Sequence, residues 1–169
     1  MASDGPTNPS AVHRLWTSPT LDGAVYAQPL VVGGLVIEAT ENDTVYALDA
    51  STGSVTWSTH LGAPISSGSL PCGDVSPVVG ITSTPVVDLT AGRVYALGLV
   101  QPGRDVLFAL NLATGAMVAS TGVDPPNSNY TTDNQRGALA LDNGAVLVPF
   151  GGRYGDCGSY HGRLTSVPV

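Results

Sequence analysis

The chain has 169 residues, 43% hydrophobic and 11% charged, and its 21 glycines and 13 prolines favour an all-β fold of short strands over a disordered polar segment. Thirteen acidic residues face six scattered arginines and no lysine, so the net charge of −7 excludes a basic nucleic-acid-binding face and a lysine Schiff base. No apolar run approaches the length of a membrane span, and residues 1–6 lack the features of a signal peptide.

Strand-like runs follow one another along the chain in sets divided by turn residues. A strand is predicted around Trp16, within residues 11–19. Three further sets occupy residues 24–62, 81–123 and 135–169, and long inserts separate them. The third set contains the Asn-Gly hairpin signal, and no helical periodicity is sustained anywhere. Each full set reads as four antiparallel strands, ordered from inner to outer.

An internal repeat lies in the first two sets. The run Val45–Gly53 recurs as Leu107–Gly115, and each copy is an alternating strand that leads into Asx-x-x-Thr-Gly. The Asx side chain can accept hydrogen bonds from the backbone ahead of it, and the glycine supplies the positive φ that closes a hairpin. Such a four-stranded repeat is typical of a β-propeller blade.

The segment from Ala47 to Trp57 resembles, position by position, the Ala-x-Asp-x-x-Thr-Gly-x-x-x-Trp repeat of the PQQ-like β-propeller family. The resemblance implies an incomplete propeller of about three four-stranded blades in a single domain spanning residues 1–169, in which residues 11–19 are the outer strand of a preceding blade. It also implies that Trp57 packs between adjacent blades. The second copy departs from the pattern at two positions, with Asn111 for the Asp and Ala119 for the Trp. The structural repeat positions are Ala47, Asp49, Thr52, Gly53, Trp57, Ala109, Asn111, Thr114 and Gly115.

The two cysteines fall in predicted loops. Cys72 precedes the second blade, and Cys157 lies between the second and third strands of the third blade, so in a propeller both loops open on the same face. We expect a disulfide between them, the alternative being two free buried thiols. The surrounding motifs, Cys72–Asp74 with Gly80–Pro85, and Gly155–Gly162, resemble those of secreted bacterial members of the family, which favours an extracellular or periplasmic location.

No catalytic or metal site is predicted. No nucleophile motif accompanies the three histidines, and no second ligand pair completes a metal set beside Cys157. The candidate binding residues are instead four polar side chains on the predicted loops, although such loops are often only solvated turns. They are Asp74, Asp156, Tyr160 and His161.

We therefore expect a non-catalytic propeller module that binds a partner or serves as a scaffold, with no cofactor. The alternative is a fragment of a PQQ-dependent alcohol or sugar dehydrogenase, for which the resemblance implies PQQ and calcium. About three blades are too few to close a ring, because propellers have about four to eight. We expect the open ends to be covered by further blades, by self-association, or by a protein or small-molecule partner.

Overall fold

The computed structural model describes residues 12–169, which form an almost entirely β structure. A 3₁₀ turn lies at Ser67–Ser69. The strands are β1 (Leu30–Val32), β2 (Leu35–Thr40), β3 (Thr44–Asp49), β4 (Val55–His60), β5 (Ile65–Ser66), β6 (Val78–Val79), β7 (Val86–Asp88), β8 (Arg93–Val100), β9 (Arg104–Asn111), β10 (Met117–Gly122), β11 (Asp133–Asn134), β12 (Ala140–Asp142), β13 (Ala145–Gly152) and β14 (Arg163–Pro168). No helix among these residues is long and apolar enough to cross a membrane.

The strands form consecutive antiparallel blades. Blade 1 has the order β1-β2-β3-β4, and blade 2 has the matching order β7-β8-β9-β10. Blade 3 contains β12, β13 and β14, with β11 paired to the far end of β13. A small sheet of β5 and β6 lies in the connection between blades 1 and 2. The predicted all-β, incomplete propeller is confirmed.

The core lies between the blades because the central strands are buried on both faces. Successive side chains of a strand point to opposite sides of its sheet. In β8, Val94 and Ala96 therefore pack toward blade 1, whereas Tyr95 and Leu97 pack toward blade 3. A strand buried in this way reads as a nearly continuous apolar run, which is how residues 93–100 appear in the sequence.

Two tryptophans dock onto the turn of the following blade in the same way. Trp57 Nε1 donates to Leu112 O at 3.1 Å, and its ring lies against Gly115 in the turn between β9 and β10. Trp16 Nε1 donates to Ala50 O at 3.0 Å, and its ring lies against the equivalent glycine of blade 1, Gly53. Because each glycine has no side chain, the indole ring can occupy the space where a Cβ atom would lie.

Residues 12–19 differ from the prediction, because they form no strand. A strand needs a neighbour that pairs with its backbone, and no other strand of a preceding blade is present among the described residues. Trp16 is nonetheless held in the docking position. Residue 11 of the predicted strand lies outside the described residues.

Candidate functional site

The long connections and one set of hairpin turns open on the same side of the blades, which we call the loop face. This follows from the antiparallel order, since every second connection lies at the same end of the strands. The segments of the loop face are residues 41–43, 61–85, 101–103, 123–139 and 153–162.

A disulfide joins two segments of the loop face. Cys72 and Cys157 are bonded, with their Cα atoms 5.9 Å apart and a sequence separation of 85 residues. The predicted pairing is confirmed, and the alternative of two free thiols is wrong. The bond cross-links the connection between blades 1 and 2 to the long loop of blade 3. It thereby restrains the surface that carries the four predicted binding residues.

Asp74 lies two residues from this disulfide and faces Arg136. Arg136 Nη1 is 3.4 Å from Asp74 Oδ1, and the guanidinium carbon is 5.7 Å from the centre of the Tyr26 ring. Both partners of the ion pair are about half exposed, so the pair contributes little to stability. It does bring together three loop segments that are distant in sequence.

The other three predicted residues share the loop that follows β13. The Tyr160 hydroxyl donates to Asp156 Oδ1 at 2.7 Å, and this bond raises the pKa of Tyr160. The Tyr160 ring lies against Gly152, and His161 is exposed beside it. The structure thus places Asp156, Tyr160 and His161 together, whereas Asp74 is brought to the same face through the disulfide rather than through a direct bond to them.

A buried polar cluster lies beneath the loops, and the sequence did not predict it. Glu41, in the turn between β2 and β3, is 1% exposed, and its Oε2 accepts from Gly80 N at 2.8 Å and from Thr82 Oγ1 at 3.2 Å. Burial raises the pKa of Glu41. Blade 1 is thereby hydrogen-bonded to the segment that leads into blade 2.

Asp43, in the same turn, is fully buried between two glycines. A Cβ atom on either Gly80 or Gly98 would lie 2.6 Å from Asp43 Oδ1, so both positions exclude a side chain. Neither carboxyl oxygen of Asp43 has a hydrogen-bond partner among residues 12–169. Burial, aided by the charge of Glu41, raises the pKa of Asp43 to about 8, so this side chain is a neutral acid at pH 7.

Arg153 is the buried cation of the cluster. Its Nε and Nη2 donate to Tyr130 O at 2.9 and 2.7 Å, and its charge acts on Asp105, Glu41 and Asp133. Burial lowers the pKa of Arg153. Burial, followed by the charge of Asp124, raises the pKa of Asp105 to about 7. The cluster connects all three blades, and Asp43 and Asp105 hold protons near neutral pH chiefly because they are buried.

The family follows from comparison with known proteins. A sequence profile described as outer membrane protein assembly factor BamB matches residues 13–155. The chain belongs to this family. A comparison with curated protein sequences gives no significant match.

Solved structures show what this BamB-family chain is similar to. BamB from Moraxella catarrhalis is 20% identical with a TM-score of 0.56, and the match covers 82% of this chain and 39% of that one. The quinohemoprotein alcohol dehydrogenase ADHIIG from Pseudomonas putida HK5 is 27% identical with a TM-score of 0.58, covering 82% and 18%. The quinohemoprotein alcohol dehydrogenase from Comamonas testosteroni is 16% identical with a TM-score of 0.53, covering 76% and 22%. The BamB-family chain thus spans well under half the length of these proteins.

The alternative prediction, a PQQ-dependent enzyme, would require a calcium ion beside the quinone. Calcium takes about six to eight oxygen ligands. No group of three or more His, Cys, Asp or Glu side chains in residues 12–169 is placed to hold a metal ion.

Proposed function

We propose that this BamB-family chain is a non-catalytic module that binds a protein partner through its loop face. The proposal rests on one observation, the disulfide that cross-links two segments of that face. The Cys72–Cys157 bond holds the segment with Asp74 against the loop with Asp156, Tyr160 and His161. A surface restrained by a disulfide loses less conformational entropy on binding than free loops do, and it is therefore better suited to bind a partner.

The chemistry of the loop face fits a protein partner. Tyr154 and Tyr160 are exposed on it, at 71% and 37%, and Tyr26, which lies against Arg136 of this face, is 41% exposed. Tyrosine is enriched at protein interfaces because its rigid ring supplies contact area while its hydroxyl remains hydrogen-bonded. The exposed Asp74 and Asp156, with a chain charge of −7, favour a neutral or cationic partner surface.

A binding experiment with a matched control tests this proposal. The chain is used as bait in extracts of the cells that make it, and each captured protein is then purified and titrated against variants. We expect the double substitution Asp156→Ala with His161→Ala to weaken binding at least tenfold. Asp142→Ala removes an exposed carboxylate on the opposite face and should leave binding unchanged. A partner that binds both variants equally well would contradict the proposal.

The likeness to two quinohemoprotein alcohol dehydrogenases favours a second candidate, a fragment of a PQQ-dependent alcohol or sugar dehydrogenase. Titration with PQQ and calcium, followed by the absorbance of the quinone, separates the two candidates. We expect no saturable spectral change, because residues 12–169 offer no three-ligand metal set. Saturable binding with quinone-dependent oxidation of an alcohol would overturn the binding-module proposal.

We also infer that the chain works in an oxidising compartment, extracellular or periplasmic. Structural disulfides form and persist in such compartments and are rare where thioredoxin and glutathione keep thiols reduced. Thiol labelling of the protein in intact cells tests this inference. The two cysteines should resist labelling until a reductant is added, and their labelling without reductant would place the chain in a reducing compartment.

A further inference from the structure

A hollow of about 370 Å³ lies in the loop that joins β5 to β6 on the loop face. Its walls are residues 67 and 70–76, one of which is Cys72 of the disulfide. They combine the hydroxyl groups of serine and the carboxylate of Asp74 with the apolar side chains of Leu70 and Pro71. A mixed lining of this kind suits a side chain that has an apolar stem and a polar end.

The shape of the hollow is fixed at several points. Ser67 N and Ser67 Oγ both donate to Pro77 O, at 3.0 and 2.9 Å, and they close the loop at its base. Val75 is 6% exposed and belongs to a small apolar core beneath the loop. The disulfide at Cys72 fixes the loop to the long loop of blade 3. Because the hollow is preformed, filling it costs little conformational entropy.

Asp74 gives the hollow its charge. It is the only charged residue between positions 61 and 87, and its side chain is 44% exposed. Asp74 lines the hollow, whereas its ion-pair partner Arg136 does not. The same residue therefore borders both the hollow and Arg136. A negative group at the edge of a polar hollow favours a cationic occupant.

The ion pair between Asp74 and Arg136 is weak enough to be replaced. Arg136 Nη1 is 3.4 Å from both carboxylate oxygens, whereas Arg104 Nε is 2.6 Å from Asp124 Oδ2. A nitrogen–oxygen distance of 3.4 Å exceeds the usual hydrogen-bond range of about 2.7–3.2 Å. If Arg136 leaves Asp74, it retains the contact with the Tyr26 ring, whose centre is 5.7 Å from the guanidinium carbon.

We propose that this hollow binds an arginine side chain of the protein partner, whose guanidinium group replaces Arg136 on Asp74. The inference rests on the proposed function, because it assigns one contact of the loop face to the partner. Arginine fits the site for two reasons. Its planar guanidinium matches the two oxygens of a carboxylate, and its methylene stem packs on apolar surface such as that of Leu70 and Pro71.

An NMR titration of the 169-residue chain with a small arginine probe tests the site. The probe is acetyl-arginine methylamide at millimolar concentrations, and the control is acetyl-citrulline methylamide, which has nearly the same shape but no charge. We expect saturable shifts of the backbone amide signals of residues 67–76 with the arginine probe and no such shifts with the citrulline control. Equal shifts with the two compounds, or no saturable shift with the arginine probe, would overturn the proposal.

Two substitutions with opposite expected effects test the competition for Asp74. Asp74→Asn removes the charge and should weaken binding of the arginine probe about two- to fivefold, because an exposed ion pair contributes modestly. Arg136→Gln removes the competing cation and should strengthen binding by a similar factor. Asp142→Asn, on the opposite face, is the control and should leave binding unchanged. Unchanged binding by Asp74→Asn, or unchanged or weaker binding by Arg136→Gln, would refute the competition.

The failure of this inference can be distinguished from the failure of the proposed function. A captured protein that binds the Asp156→Ala, His161→Ala double variant more weakly, in a chain that does not bind the arginine probe, would refute only the arginine site. Probe binding that depends on Asp74, with a captured protein that is insensitive to the double variant, would instead refute the proposed role of the blade 3 loop.

Discussion

Trp57 and Gly115 fit each other so closely that a Cβ atom on the glycine would lie 2.5 Å from Trp57 Cε3. Gly115 also has a φ of +72°, a conformation that disfavours a side chain for a separate reason. The contact lies at the interface of blades 1 and 2, where Thr59 Oγ1 donates to Gly115 O at 2.7 Å. Two independent requirements for glycine therefore coincide at one residue, and they can be separated experimentally.

Gly115→Ala should destabilise the fold by several kcal/mol more than Gly144→Ala. Gly144 has nearly the same φ, +74°, but no atom lies within 4 Å of its missing Cβ, so its substitution costs only the backbone strain, about 1–2 kcal/mol. Chemical denaturation of both variants measures the difference. In a Trp57→Ala background, itself about 3–5 kcal/mol less stable, most of the excess cost of Gly115→Ala should disappear, and only the contact of the new Cβ with Thr59 Oγ1 at 2.8 Å should remain. Equal costs for the two glycines in the wild-type background would contradict this interpretation.

Removal of the disulfide by Cys72→Ser with Cys157→Ser should lower the free energy of unfolding by up to about 4 kcal/mol. The bond closes a long loop, with a separation of 85 residues, and so restricts the unfolded chain. The melting temperature with and without a reductant provides a second measurement, and the double variant serves as its control because a reductant should not affect it. An unchanged melting temperature on reduction of the wild-type chain would show that the bond does not stabilise the fold.

Asp43→Asn should make stability less dependent on pH between about pH 4 and pH 8. The pKa of Asp43 rises from the ordinary 3.8 to about 8 on burial, so the folded state binds this proton more tightly than the unfolded state does. Its contribution to stability is therefore complete below about pH 4 and is lost as the pH rises through about 8. Melting curves across this range measure the effect. The exposed Asp74→Asn is the control, and a wild-type slope in Asp43→Asn would exclude Asp43 as the source.

His161→Ala should change the free energy of unfolding by less than about 0.5 kcal/mol because its side chain is exposed, and Asp156→Ala should cost no more than about 1 kcal/mol, because Asp156 is exposed but has a φ of +47° that alanine adopts less readily. The bond from Tyr160 to Asp156 is also exposed and does not anchor the fold. Denaturation curves of the two variants measure this. A large loss of stability would mean that the loop of blade 3 is structural rather than a binding surface.

The local architecture could be predicted from the sequence because it depends on short-range patterns. The turns at Asp49–Gly53 and Asn111–Gly115 need an Asx acceptor and a positive-φ glycine at fixed spacing. The sequence contains both residues at that spacing in each turn. Alternating apolar strands on either side then give the blade. The disulfide could be predicted as well, since the propeller resemblance placed both cysteine loops on one face.

The buried polar cluster and the conformation of the segment around Trp16 were decided by the tertiary structure alone. Both depend on contacts between residues that no sequence pattern relates. Asp43 occurs in an ordinary turn sequence, and its burial follows from the glycines at 80 and 98. No feature of the sequence distinguishes Arg153 from an exposed loop arginine. Only the structure shows that its guanidinium group is buried beneath the loops and interacts with the charge of Asp105. The segment around Trp16 has a strand pattern but forms no strand, since backbone pairing requires a neighbour that the sequence pattern cannot supply.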